Sequence, residues 1–566
     1  MDSSPADTNS HEPPRPRPIA EIAESLQLDE TAIEPFGWHA GKLPLNLHQQ
    51  LSDRPKGKYV GVTAINPTPF GEGKTVVTIG LAMGLARLGK RSIATLRQPS
   101  LAPVFGVKGG GAGSGRSQLL PAESINLHFT GDLHAVAAAN NLLAAMIDNH
   151  TKRELTPRID PQSISWRRVV DIGDKGLARI ETGLDEPLQA PRRETGFDLT
   201  AASEVMSVLS LATDLADLRN RIERIVVARD PDGAPVTAGQ IGAAGAMTAL
   251  LRDAVRPNLV QTCEHSPAFV HAGPFANISH GNSSVIADLA AIRLADYVVT
   301  ESGFGSDLGA EKLFNIKCRA SGLRPDAEVL VCTVRALKFH SGQFDVRPGR
   351  PLPEAMLEEG LSALRAGIPN LQAHLDILQQ FGVPTVVAIN RFPTDTEQET
   401  DLLRELALDS GAARVAVIDS FSHGGAGAED LAAAVIDACQ LPSQFDFLYP
   451  LELSPEEKVA MIATRIYGAA DVELSAAAQA QLREYTSLGY GNLPVCMAKT
   501  QYSLSHNRSL TGRPTGFTLP IEEVRLAAGA GFLYAMTQGI SLMPGLPGTP
   551  AAVRIDIDED GTITGL

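Results

Sequence analysis

Cysteine is scarce in this chain and scattered. The five thiols, Cys263, Cys318, Cys332, Cys439 and Cys496, include no C-x-x-C pair, which excludes the usual structural zinc spacing and a disulfide framework, so buried free thiols are expected. Long apolar runs are also missing. None approaches the ~18 residues that a membrane helix needs, and no hydrophobic signal core opens the N-terminus, so a cytoplasmic protein with no membrane partner is expected. An excess of positive charge is lacking too. Lys and Arg number 49 against 65 Asp and Glu, a formal net charge of -16, which disfavours nucleic acid as a partner, because phosphate backbones are gripped by clustered cations. An anionic ligand must therefore meet a local basic site. His271 and His280 flank a glycine-rich loop but lack metal-ligand spacing, and no ligand role is assigned to them.

Length and composition set the scale of what is present. At 566 residues, with 43% hydrophobic and 20% charged, the chain reads as a soluble globular protein of about three domains. The expected class is α/β: a P-loop nucleotide-binding domain built on a parallel sheet, with two smaller α/β domains. The expected divisions are a disordered, Pro- and Arg-rich tail over 1–18, a nucleotide domain over 19–360, an α/β domain over 361–455 and a C-terminal domain over 456–566. Ile22, Leu26 and Leu28 mark a short amphipathic helix, and 38–51 a further small element, both covering the sheet of the first core strand. Val329-Leu330-Val331 and Thr385 to Ile389 read as buried strands, separated by a Pro- and Gly-bearing insert near 348–353 and by a helix over 370–381.

The organising stretch is Thr68-Pro69-Phe70-Gly71-Glu72-Gly73-Lys74-Thr75. It follows the β-branched run Tyr59 to Ile65 and leads into residues 76–88, where Val77, Leu81, Leu85 and Leu88 share a helical face. Strand, glycine loop and helix in this order form a phosphate-binding loop. Backbone N–H groups face the phosphates, Lys74 reaches the β- and γ-phosphates, and the Thr75 hydroxyl can ligate Mg²⁺. Thr68 stands where the motif has its first glycine. Next, Ser92 to Leu96 reads as a parallel strand delivering Arg97 to the carboxyl edge of the sheet, where ligands of open α/β folds collect. The glycine-dense run Lys108 to Arg116 can form an anion nest or a flexible link.

The motifs together carry a family resemblance. Thr68 to Thr75, Leu96 to Gly106, Pro121 to Asp132, Gly273 to Gly281, Thr300 to Lys312 and Gly491 to Gln501 resemble the signatures of the formate–tetrahydrofolate ligases, over a span running from Ile19 to the C-terminus. The resemblance implies that ATP phosphorylates formate to formyl phosphate, whose formyl carbon is then attacked by the N10 amine of tetrahydrofolate. It implies Lys74 and Arg97 as catalytic residues, Thr68 to Thr75 as the ATP loop with Mg²⁺ at Thr75, and Phe304 and Phe392 as the pterin platform. It further implies activation by potassium or ammonium and a homotetramer. Phe304, between Gly303 and Gly305, reads independently as a projecting aromatic. Asn390-Arg391 hints at a guanine-reading motif, but Pro393 fills its last position. Departures from the family pattern are Gln98 in place of the usual bacterial Glu, Ala122 in place of Met, and Phe421 to Gly425 where Trp and Lys are common. A P-loop switch ATPase and a catalytically dead relative are the competing readings.

Overall fold

The computed structural model describes residues 15–29, 32–106, 110–184, 191–346 and 351–566. Its centre is a large, mostly parallel sheet. The strands are β1 (Lys58–Ala64), β2 (Ser92–Leu96), β3 (Asn258–Thr262), β4 (Pro267–Val270), β5 (Tyr297–Glu301), β6 (Ala327–Cys332), β7 (Thr385–Asn390) and β8 (Arg414–Ile418). They lie in the order β3-β4-β2-β5-β1-β6-β7-β8. From β4 to β8 all neighbours are parallel. β3 runs antiparallel to β4, to Gly41–Lys42 and to Ser117–Leu120.

The central strands are near-continuous apolar runs because helices cover both of their faces. Alternation along each strand sends successive side chains to opposite cores. Tyr59, Val298, Leu330 and Val387 join one cluster, whereas Val60, Val299, Val331 and Val386 join the other. The helix Ile19–Ser25 packs Ile19, Ile22 and Ala23 into the Tyr59 side, with Leu43 and Leu47 beside them, so the N-terminal elements do cover the sheet. The helix after the glycine loop at 68–73 spans Lys74–Arg87 and is buried from Val76 to Leu85. Leu88, expected on the same helical face as Leu81 and Leu85, is the exposed C-cap residue.

Two features describe how the rest of the chain meets this sheet. The central sheet runs across residue 360 without a break, since β6 pairs with β7 in parallel register; β7 and β8 therefore extend the sheet that β1 belongs to. Between β2 and β3 lies a helical lobe with its own core, built on Asp132–Lys152, Glu204–Leu211, Leu215–Arg224 and Ala244–Leu251. The C-terminal region places Val495–Ala498, Phe532–Met536 and Glu523–Ala527 in a three-stranded sheet. Its Ala498 and Met536 share a small core with Ala102, Leu199 and Ile278.

Residues 1–14 of the expected tail lie outside the described residues, as do 347–350 of the insert before β7. Arg17, the other end of that tail, is anchored. Its N–H donates to Gln261 Oε1 at 3.0 Å, and its carbonyl accepts from Gln261 Nε2 at 2.8 Å. All five cysteines are buried free thiols. Among the described residues, no helix is long and apolar enough to cross a membrane.

Candidate active site

The phosphate-loop sequence forms a tight turn between β1 and the Lys74–Arg87 helix. Gly71 and Gly73 adopt left-handed backbone, with φ of 77° and 72°. A Cβ on Gly73 would lie 2.6 Å from Asn390 Nδ2, so only glycine fits there. Thr68 is not among the left-handed residues, which explains how it replaces the first glycine of the motif. Its hydroxyl accepts from the Phe70 N–H at 3.2 Å. No side chain caps the helix, so its N-terminal N–H groups and dipole suit an anion. Lys74 and Thr75 open that helix, each half-buried, and Phe70 is exposed.

Glu72 locks this loop from below, a role the sequence motif does not reveal. Its buried carboxylate accepts from the Thr68 N–H at 2.8 Å and from the Thr333 hydroxyl, while its carbonyl accepts from Asn390 Nδ2 at 3.0 Å. Thr333 follows β6 and Asn390 ends β7, so both neighbouring strand ends grip the loop. Arg335 adds a third tie. It donates to the Gly71 carbonyl, lies 3.7 Å from the Glu72 carboxylate, and stacks its guanidinium 3.7 Å from the centre of the Phe392 ring. The available signal for these residues was their position immediately beyond a parallel strand, the same signal that singles out Arg97.

Arg97 directly follows β2, and its Nη1 donates to the Pro274 carbonyl at 3.2 Å. Burial pulls its pKa below the ordinary arginine value, while the Glu301 carboxylate opposes that fall; an arginine so placed still carries its charge. Nη2 reaches the Phe304 loop, since a Cβ built on Gly303 would lie 3.2 Å from it and 2.3 Å from Ala276 Cβ. Around this point are buried polar atoms without a hydrogen-bond partner: Gln98 Oε1, Glu301 Oε2, His280 Nε2 and Asn282 Oδ1. Unmet polar groups of this kind are costly in a closed core and call for a ligand or water. His280 is held neutral, chiefly by burial and also by nearby Lys317, Arg97 and Lys312.

Phe304 has φ of 62°, an unusual backbone for a bulky residue. Close packing on both sides enforces it. Gly303 N–H donates to the Gly281 carbonyl at 2.9 Å, and Ser306 N–H donates to the Ala64 carbonyl at 2.9 Å. The Phe304 ring is half-buried and belongs to none of the four hydrophobic clusters, nor does Phe392. Both rings therefore differ from core phenylalanines such as Phe269 and Phe314. Ser306 Oγ pairs with His374 Nδ1 at 2.7 Å, and His374 Nε2 accepts from the Asn66 N–H at 2.9 Å. Through this buried histidine, whose pKa burial lowers to about 3, the Phe304 loop is tied to the residue two positions before Thr68.

The glycine run after Gly106 departs from the nest expectation where it can be seen. Lys108 lies outside the described residues. Two of the N–H groups a nest would use are already engaged: Gly111 N–H donates to Asn126 Oδ1 at 2.7 Å, and Arg116 N–H donates to the Phe421 carbonyl at 2.8 Å. Phe421 itself is exposed and thus remains an aromatic surface beside the glycine run. Among the described residues, no cluster of three or more His, Cys, Asp or Glu could hold a metal ion.

The family model described as formate–tetrahydrofolate ligase matches residues 5–566. A formate–tetrahydrofolate ligase of Roseiflexus sp. (strain RS-1) is 56% identical over 552 residues, covering 98% of each chain. The same-named protein of Roseiflexus castenholzii is 55% identical with the same coverage. That of Saccharopolyspora erythraea is 54% identical over 97% of each chain.

Proposed function

The chain belongs to the formate–tetrahydrofolate ligase family, and from that premise we propose that it joins formate to tetrahydrofolate at the cost of ATP, through formyl phosphate, at the carboxyl edge of its central sheet. The observation that carries this reading is the position of Arg97, which reaches the backbone of the Phe304 loop while that loop is bonded to the end of the phosphate-loop strand. Nucleotide, small anion and flat heterocycle then meet at one edge.

In the proposed reaction, residues Thr68 to Thr75 hold the triphosphate, with Lys74 countering charge on the β- and γ-phosphates. Mg²⁺ bound with ATP would be held by the Thr75 hydroxyl and supply charge neutralisation for the transferred phosphoryl group. A formate oxygen attacks the γ-phosphorus, the bond to the β-bridging oxygen breaks, and ADP leaves. Arg97 binds the resulting formyl phosphate. The N10 amine of tetrahydrofolate, stacked at Phe304 and Phe392, then attacks the formyl carbon; phosphate departs and the amine loses a proton. Positioning and fixed charge suffice for both steps, so no nucleophilic side chain is invoked. The family resemblance supports a homotetramer activated by potassium or ammonium.

The test is an absorbance assay for 10-formyltetrahydrofolate in which ATP, formate and tetrahydrofolate are omitted in turn. Product is expected only when all three are present. Nucleotide turnover indifferent to formate and folate would replace this reading with that of a switch ATPase.

A further inference from the structure

We propose that Arg335 is a positioning residue that couples the phosphate loop to the Phe392 platform, so that nucleotide and tetrahydrofolate bind more tightly together than apart. The inference rests on the functional reading above and assigns its coupling to one side chain. Arg335 lies in the helix Val334–His340, which begins directly after β6 and Thr333. One guanidinium nitrogen donates to the carbonyl of Gly71, inside the loop, and the group lies 3.7 Å from the Glu72 carboxylate. The carbon of the same guanidinium stands 3.7 Å from the centroid of the Phe392 ring. A single planar cation therefore touches the backbone that must wrap the phosphates and one face of an aromatic ring whose other face the pterin would take.

The two contacts share a rigid group, so ordering one orders the other. A nucleotide that fixes Gly71 fixes the guanidinium, and the Phe392 ring then has less freedom to lose when the pterin stacks on it. Asn390 strengthens the link, because its amide holds the Glu72 carbonyl at 3.0 Å only two residues before Phe392. Lysine substitutes poorly: its compact ammonium can bond the Gly71 carbonyl or lie over the ring, but it lacks the planar fork that does both at once. Linkage makes the coupling reciprocal, so tetrahydrofolate must raise nucleotide affinity by the same factor.

The experiment is calorimetric titration of the full chain with tetrahydrofolate, with and without a non-hydrolysable ATP analogue and Mg²⁺. In the wild type the analogue is expected to tighten tetrahydrofolate binding by about five- to tenfold, the lower part of the usual range for coupled sites. In Arg335→Lys that factor is expected to fall below about twofold, while each ligand alone binds within about threefold of wild type. A merely structural role would weaken the ligands singly and leave their ratio intact. Phe392→Leu gives an independent arm if the first variant misfolds: it retains the bonds of Arg335 to the loop, removes the ring, and should lose the factor as well. Persistence of the wild-type factor in either folded variant overturns the proposal. A wild type that binds both ligands with no mutual effect overturns it too. A wild type that binds no tetrahydrofolate removes the functional reading, and this inference with it.

Discussion

The two ends of the parallel sheet hold particular cations differently, although Arg335 at the carboxyl end also lies by a carboxylate, that of Glu72. At the amino end, cations meet carboxylates at the surface. Lys58, opening β1, pairs with Asp326 at 2.8 Å, and Arg91, before β2, pairs with Asp296 at 2.7 Å. Each acid also accepts a backbone N–H, from Tyr59 and Arg91. At the carboxyl end, Arg97 and the buried Lys312 donate to main-chain carbonyls instead. A carbonyl orients a cation without neutralising it, so the charge remains available to an anion. Nearby acceptors such as Gln98 Oε1 and Glu301 Oε2 are left unmatched. The first arrangement is complete in the folded protein; the second leaves buried polar atoms unmatched. Glu328, near the start of β6, is also unmatched, but burial alone holds its pKa far above the carboxylate range, so it is a neutral acid in a closed interior and invites no anion.

The largest expected effect comes from removing a cation at the ligand end. Arg97→Ser should lower ligase turnover by about 10²- to 10³-fold or more, the worth of one preorganised charge donor, while tetrahydrofolate affinity stays near wild type. If the variant loses folate binding yet still phosphorylates formate, Arg97 serves the wrong substrate and the proposed division of the carboxyl end fails. A smaller effect is expected at the aromatic platform. Phe304→Ala should weaken tetrahydrofolate binding by roughly five- to 150-fold, as stacking worth about 1 to 3 kcal/mol predicts, and leave ATP affinity nearly unchanged. Paired titrations on a variant with native circular dichroism decide it; a parallel fall in both affinities would make Phe304 a structural residue. The smallest effect belongs to the amino end. Lys58 is 41% exposed in its pair with Asp326, so Lys58→Ala should cost only about 0 to 1 kcal/mol of stability in urea unfolding and leave turnover unaltered. A tenfold loss of activity there would erase the contrast between the two ends.

The parts of the site that could be read from the chain are those made by consecutive residues. The glycine pattern of residues 68–75 predicts its own turn because Gly71 and Gly73 need positive φ whatever surrounds them. Arg97 is legible because a short buried run ends one residue before it, and Phe304 because two glycines isolate it. The left-handed backbone of Phe304 was not legible, since it is imposed by Gly281, Ala276 and Ala64, each distant in sequence. The same holds for the engaged donors of the glycine run, whose acceptors Asn126 and Phe421 lie outside it.

The sequence by itself determined the α/β class, the strand runs and the local geometry of the glycine loop at 68–75, because dihedral preference and apolar periodicity act over a few neighbouring residues. Strand order, and with it the absence of a break at residue 360, was decided only in three dimensions. So were the lock that Glu72 makes with Thr333 and Asn390, the histidine bridge from Ser306 to Asn66, and the span of Arg335 from Gly71 to Phe392. Those contacts join residues up to 318 positions apart. No local pattern encodes them, because parallel strands bring their carboxyl ends together only after the whole sheet has closed.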